Sequence, residues 1–185
     1  MNNMSKKKKI FLITDFLTIA VLIFLDQFTK QLAVKYLQDK PAISLIKGVL
    51  ELNFLKNSGA AFGMLQDQKV FFVLVAILIL VIIVYVLLRL PDDKKYDAMH
   101  ILLVMIASGA AGNMIDRIRN DYVIDFIYFV IINFPIFNVA DIYVTVATFV
   151  FLFMFLFYYK EEDFSFLSFA QQKKFREFND GTKKQ

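Results

Sequence analysis

Asp125 and Asp141 stand sixteen residues apart in YVIDFIYFVIINFPIFNVADIYVTV, among the most apolar stretches of the chain, and neither has a Lys or Arg beside it. A carboxylate in such surroundings costs several kcal/mol unless it is paired, protonated or near water. Asp141 follows Asn138 by three residues at the head of an apolar run, and an acid in the first turn of a helix gains about 0.3–1 kcal/mol from the helix dipole. Asp125 has no such support. If the connection containing Pro135 folds back, the two acids meet. Two carboxylates a few ångströms apart do not both ionise easily and share one proton. Such a pair holds a water: one carboxylate takes its proton while the other donates to a substrate carbonyl. That is aspartic protease chemistry.

Other polar residues fall at spacings that matter. Asp26 and Lys30, in DQFTK, share a helix face at i and i+4 and form an ion pair there in the simplest reading. Asn57 and Gly59, in NSGAAFG, make a polar turn that permits close backbone approach. In ASGAAGNMIDRI, the small residues Ser108, Gly109 and Gly112 allow a neighbouring helix to approach, and Asn113 joins that face. Asp116 and Arg117 point in different directions on a helix and so take separate partners. A Ser–His–Asp triad would have to use His100, the only histidine, whose span places it near the inner face. A Ser–Lys dyad from Ser58 or Ser108 with Lys30 or Lys56 is a conceivable alternative. So are an ion or proton pathway through Asp26, Asp125 and Asp141, and an assembly subunit whose polar clusters only pack helices.

The elements that must position these residues are membrane spans. Of 185 residues, 58% are hydrophobic and 22 are Phe, beyond the apolar share of soluble domains. The absence of cysteine excludes thiolate nucleophiles and Cys-based metal sites, and the single histidine excludes His-rich clusters, so neither metal nor cofactor is expected. A span needs roughly 20 mostly apolar residues, and four stretches qualify, at about 10–30, 70–88, 98–115 and 140–159. The predicted fold is therefore an all-α membrane protein of four transmembrane helices. A small extracytoplasmic β-like cradle and a loop or helix occupy the first outer connection, where VLELNFLKN alternates as a strand does and residues 58–63 form part of a roof. Residues 1–160 form the membrane domain and 161–185 a charged, Phe-containing cytoplasmic tail, with 164–178 either an interfacial helix or a loose end. Lys6, Lys7, Lys8 and Lys9, with Arg89, Lys94 and Lys95, mark the cytoplasmic side, so both termini lie inside and the two acids near the outer surface. These basic runs read as membrane anchors, not as a nucleic-acid surface.

Four collinear stretches, DQFTK, NFLKNSGAAFG, GAAGNMIDRIRNDYVIDF and FNVAD, resemble the lipoprotein signal peptidase (signal peptidase II) family, up to about Lys160. The resemblance implies a bacterial cytoplasmic-membrane aspartyl endopeptidase; a monomer among membrane lipids is expected. Its substrate is a diacylglyceryl-modified prolipoprotein, cut before the lipidated cysteine. It assigns the catalytic pair to Asp125 and Asp141, with Asp26, Lys30, Asn57, Gly59, Gly109, Asn113, Arg117, Asn138 and Ala140 in support. Arg117 or Lys30 is then expected to orient the peptide carbonyls. Two departures stand out: Gly109-Ala110 replaces a frequent Gly pair, and Asn120-Asp121 replaces a Gly before the first catalytic strand. Asn120 is expected to take the left-handed conformation there.

Overall fold

The computed structural model describes residues 6–59 and 64–168. Four helices, α1 (Lys6–Leu37), α2 (Lys69–Arg89), α3 (Asp97–Asn120) and α4 (Val139–Phe157), carry the chain. Each is long and apolar enough to cross a membrane, α3 together with the 3-10 turn Lys94–Tyr96 that leads into it. All four expected spans are present. Two of them overrun: α1 continues past Lys30 to Leu37, and α3 continues past residue 115 to Asn120, so the polar residues near those ends remain helical.

α3 is the hub, packing on α1, α2 and α4. Half of its apolar window is buried, against 11% for each of the other three spans, because its small residues let neighbours come close. The outward faces of the other helices are apolar and open; Val70 and Phe157 are 70% and 74% exposed, as suits a lipid-facing surface. α3 and α4 approach closely at Gly109. A Cβ placed on Gly109 would run into the Ala140 carbonyl oxygen and come within 2.6 Å of Val144 Cγ2. Gly109→Val is therefore expected to force the two helices apart at a cost of about 1–3 kcal/mol, seen as a lower melting temperature in detergent. An unchanged melting temperature would remove Gly109 from that packing role.

At one end of the bundle sits an antiparallel sheet of β1 (Ile43–Ile46), β2 (Leu50–Asn57) and β3 (Val123–Phe129), in that order. β2 is the alternating stretch expected as a strand, and the hairpin before it turns at Gly48, whose φ is +72°. The sheet rests on the end of α1, where Ala33 and Leu37 pack with Ile124 and Phe126. Between the pairs Leu52–Ile127 and Leu55–Asp125, β2 carries one more residue than β3. That bulge sits beside Asp125, where an extra residue re-aims the strand. The turn into β3 differs from expectation. Asn120 is the last residue of α3, and Asp121 takes the left-handed conformation (φ 70°), its N–H bonded to the Arg117 carbonyl at 3.2 Å. The longer helix moves the turn by one residue, and Asp tolerates this conformation as Asn does.

The connection from β3 to α4 folds back, as the positions of the two acids require. Phe126 and Ile127 donate their N–H groups to the Phe137 carbonyl at 3.0 and 2.8 Å, and Phe137 returns one to Ile127 at 3.0 Å. At the opposite end, Glu161–Leu167 forms a 3-10 helix against the α2–α3 turn, with Asp163 on Lys95 Nζ at 2.6 Å and the Tyr96 hydroxyl on the Asp163 carbonyl at 2.8 Å. The segment read as a separate tail thus begins with a docked turn. Its remainder from 169, with most of the expected 164–178 helix, and residues 60–63 of the expected roof lie outside the described residues.

Candidate active site

Asp125 lies on β3 and Asp141 in the first turn of α4, and both line one cleft of about 490 Å³. Asn138 joins them. As N-cap of α4 it accepts from the Asp141 N–H at 3.0 Å, and its own N–H donates to Asp141 Oδ2 at 3.0 Å, a reciprocal capping box. Its side-chain amide donates to Asp125 Oδ1 at 2.7 Å. The helix-start reading of Asp141 and the catalytic reading are therefore compatible, since one residue builds the cap and holds the opposite acid.

Each carboxylate receives a second amide. Asn57 Nδ2 donates to Asp125 Oδ2 at 2.8 Å, and Asn113 Nδ2 donates to Asp141 Oδ1 at 2.7 Å. Asn57 reaches Asp125 because Leu55 pairs with Asp125 across the strands, so residue 57 lies diagonally on the same face. Among the described residues no ammonium or guanidinium lies within ion-pair distance of either acid. Neutral amides orient the pair without cancelling its charge. Asp125 is 2% exposed, and burial pushes its carboxyl up to about 7; the charge of Asp141 adds to this, and the Asn57 and Asn138 amides oppose it.

A second polar cluster lies behind the first. Lys30 Nζ sits 2.9 Å from Asp26 and 3.0 Å from Asp116, all three essentially without solvent contact, and donates to Asn113 Oδ1 at 2.9 Å. Asn113 Oδ1 also accepts from Asn138 Nδ2 at 3.1 Å. Asp26 Oδ1 accepts the Ala140 N–H at 2.9 Å, and Asp116 Oδ2 accepts the Ile124 N–H at 3.1 Å. The cluster thus grips the backbone immediately before each cleft acid, at Ala140 and at Ile124. Burial also corrects one expectation: Lys30 does not face the cleft and is not available to orient a peptide, because two carboxylates and an amide occupy its donors.

The other expected residues separate by role. Asn57, Gly59, Asn113 and Arg117 line the cleft; Asp26, Gly109, Asn138 and Ala140 lie behind it. Arg117 Nη2 donates to the Gly59 carbonyl at 2.9 Å, and its guanidinium carbon lies 4.4 Å from the Phe72 ring centroid. Ala140 is fully buried against Gly112, where a Cβ would come within 2.5 Å of Asp26 Oδ2. Three contributors escaped the sequence reading. In sequence, Asp116 shows no partner, Gly112 only a packing role, and Gln27, which donates to Asp116 Oδ1 at 2.9 Å and to the Gly112 carbonyl at 3.2 Å, no role. Gln27 adjoins Asp26, and that adjacency was its only signal.

Neither the His100 triad nor a dyad using Ser108 or Lys30 assembles. His100 pairs with Asp15 at 2.9 Å, and sixteen residues of α3, about 24 Å of helix, separate it from Asp116. Ser108 donates to the Val104 carbonyl within its own helix. Between Asp15 and Asp26, α1 buries no other ionisable side chain, so the acids form two clusters and no ladder through the bundle.

The family model for Signal peptidase (SPase) II matches residues 18–157. A lipoprotein signal peptidase of Caldanaerobacter subterraneus subsp. tengcongensis is 42% identical over 71% of this chain and 88% of its own length. The corresponding protein of Brevibacillus brevis is 44% identical over 71% and 87%, and that of Streptococcus pyogenes serotype M1 is 38% identical over 85% and 98%. A bacterial membrane enzyme solved by the in meso method at 2.3 Å superposes with a TM-score of 0.70 at 31% identity, over 77% of this chain and 87% of that one. The four-helix membrane architecture, the family match from within α1 to the end of α4 and these relatives agree: the chain belongs to the signal peptidase II family of bacterial membrane proteases.

Proposed function

We propose that this protease removes the signal peptide from diacylglyceryl-modified prolipoproteins, cutting before the lipidated cysteine, with Asp125 and Asp141 as the water-activating pair. The observation that carries this reading is the pair itself: two carboxylates on one cleft, each oriented by two neutral amides, with no cation among the described residues within ion-pair distance of either. One acid takes a proton from the attacking water, and the other, protonated, donates to the scissile carbonyl as its oxygen gains charge. Asn138 and Asn113 hold the acids in register, and the buried Asp26–Lys30–Asp116 cluster anchors the backbone on which they sit.

The cleft walls support a lipid-linked substrate. Phe72 of α2 and Ile142 and Val146 of α4 line it on helices whose outer faces are apolar, so acyl chains can stay in the bilayer while the peptide enters. Lys6, Lys7, Arg89 and Lys94 stand at the end of the bundle opposite the cleft, which supports cytoplasmic termini and an extracytoplasmic site. A monomer surrounded by membrane lipid is part of this proposal. Residues 1–160 then form the peptidase domain, and 161–185 an appendage at its cytoplasmic end. The test is purified enzyme in lipid with a matched pair of prolipoproteins, one carrying the diacylglyceryl group and one with a bare cysteine. Cleavage of the modified form alone is expected; equal cleavage of both would remove the lipid from recognition.

The position of Asp125 sets a pH dependence. Its carboxyl titrates near 7, so raising the pH above that value strips the proton the pair shares, and cleavage is expected to fall between pH 7 and 9. The stability effect has a definite sign. The folded state holds this proton from the ordinary carboxylate range up to about 7 while the unfolded state has released it, so folding stability declines as pH rises through that window. Melting curves in detergent at pH 5 and pH 8 should show that decline in wild type and less of it in Asp125→Asn.

A further inference from the structure

Arg117 is held in an unusual way for a half-buried cation. The neighbouring acids are committed elsewhere, Asp116 to Lys30 and Asp121 to Lys69 Nζ at 2.6 Å, and no carboxylate among the described residues lies within ion-pair distance of the guanidinium. Its direct contacts are the face of Phe72, 4.4 Å away, and one hydrogen bond to the Gly59 carbonyl, with the charges of Asp141 and Asp125 acting from beyond ion-pair distance. A guanidinium has five N–H donors in a rigid plane, and the described residues engage one of them. A carboxylate partner would occupy two donors. An aromatic face attracts the cation through its quadrupole and occupies none, so it orients the plane and leaves the donor edge for a ligand. Phe72, Arg117 and Gly59 all line the cleft that holds Asp125 and Asp141.

We infer that Phe72 is a positioning residue for substrate: its ring holds the Arg117 guanidinium so that the remaining N–H groups meet the peptide carbonyls beside the scissile bond. This rests on the reading of the cleft as the peptidase site. The Gly59 carbonyl occupies one donor, and an entering carbonyl competes for the same edge while the ring contact persists. Phe72 acts through binding and takes no part in proton transfer.

The experiment is steady-state cleavage of a diacylglyceryl-modified prolipoprotein by wild type, Phe72→Leu, Phe72→Met and Phe72→Tyr, with melting temperatures recorded for each. The two aliphatic variants are expected to raise KM about tenfold with kcat within twofold, the signature of lost uniform binding. Phe72→Tyr, which keeps the ring face, should restore wild-type values. Substrate affinity is measured in parallel in an Asp125→Asn background, where Phe72→Leu and Arg117→Gln should each weaken binding and the two together should do no more than Arg117→Gln alone. Unchanged KM in both folded aliphatic variants would overturn the inference, as would a Tyr variant as impaired as Leu, or additive losses in the double variant. The two readings fail separately. Full cleavage by Asp125→Asn would remove the site assignment, whereas an inactive Asp125→Asn with a silent Phe72→Leu removes only the role of Phe72.

Discussion

Asp125→Asn and Asp141→Asn enzymes are each expected to insert and fold, to retain substrate binding, and to cleave prolipoprotein on the order of 10²–10⁴-fold more slowly than wild type. The reason is the distribution of donors around the pair. Each acid already has two amide N–H groups bonded to it, so an Asn substitution keeps a carbonyl oxygen for one of them and preserves the local shape. It loses the one property an amide cannot supply, exchange of a proton with water. The two carboxylates work as a unit, so the double variant should be no slower than the worse single one. Asp125→Asn also removes a group that is costly to ionise where it sits, and it should melt no lower than wild type at pH 8. Rates come from single-turnover cleavage, binding from substrate retained by the inactive enzyme. Full-speed cleavage by either variant would falsify the dyad.

The second large effect lies behind the cleft. Lys30→Met is expected to destabilise the fold by about 3–5 kcal/mol, because it leaves Asp26 and Asp116 facing each other in a site without solvent. Met matches the aliphatic stem of Lys30, so the loss reports charge and not volume. Activity should fall with stability, since Asp26 and Asp116 then cease to hold the Ala140 and Ile124 backbone N–H groups in place. Lys30→Met combined with Asp26→Asn removes one of the stranded charges and should recover part of the melting temperature. A Lys30→Met protein that melts like wild type would contradict the ion cluster as an anchor.

The meeting of Asp125 with Asp141 was legible because Asp125, in an apolar stretch, has neither a neighbouring cation nor a helix start to support it. The spans were legible by length and composition, and β2 by its alternation. What stayed hidden depended on distant partners. Lys30 looked available to a substrate because Asp116, which helps consume its charge, lies 86 residues further on. Asp15 stands alone as an acid within the apolar part of the first span; its partner His100 is 85 residues away, and the Phe11 ring stacked on that histidine at 4.9 Å lies one helix turn before Asp15. No local periodicity reports such pairings. The strand β1, only ISLI, is too short to alternate recognisably. The left-handed residue was misplaced by one because helix ends are the least defined feature of a sequence pattern.

The backbone exchange between Ile127 and Phe137 has a consequence for how this enzyme can change over time. It closes the β3–α4 connection at its base, so the seven residues from 130 to 136 form a tip whose length does not enter the distance between Asp125 and Asp141. Phe134, Pro135 and Ile136 of that tip nevertheless wall the cleft. The chemistry and the fit are thereby inherited separately. Substitutions, insertions or deletions in the tip can retune which signal peptides are accepted while the proposed catalytic acids stay where they are.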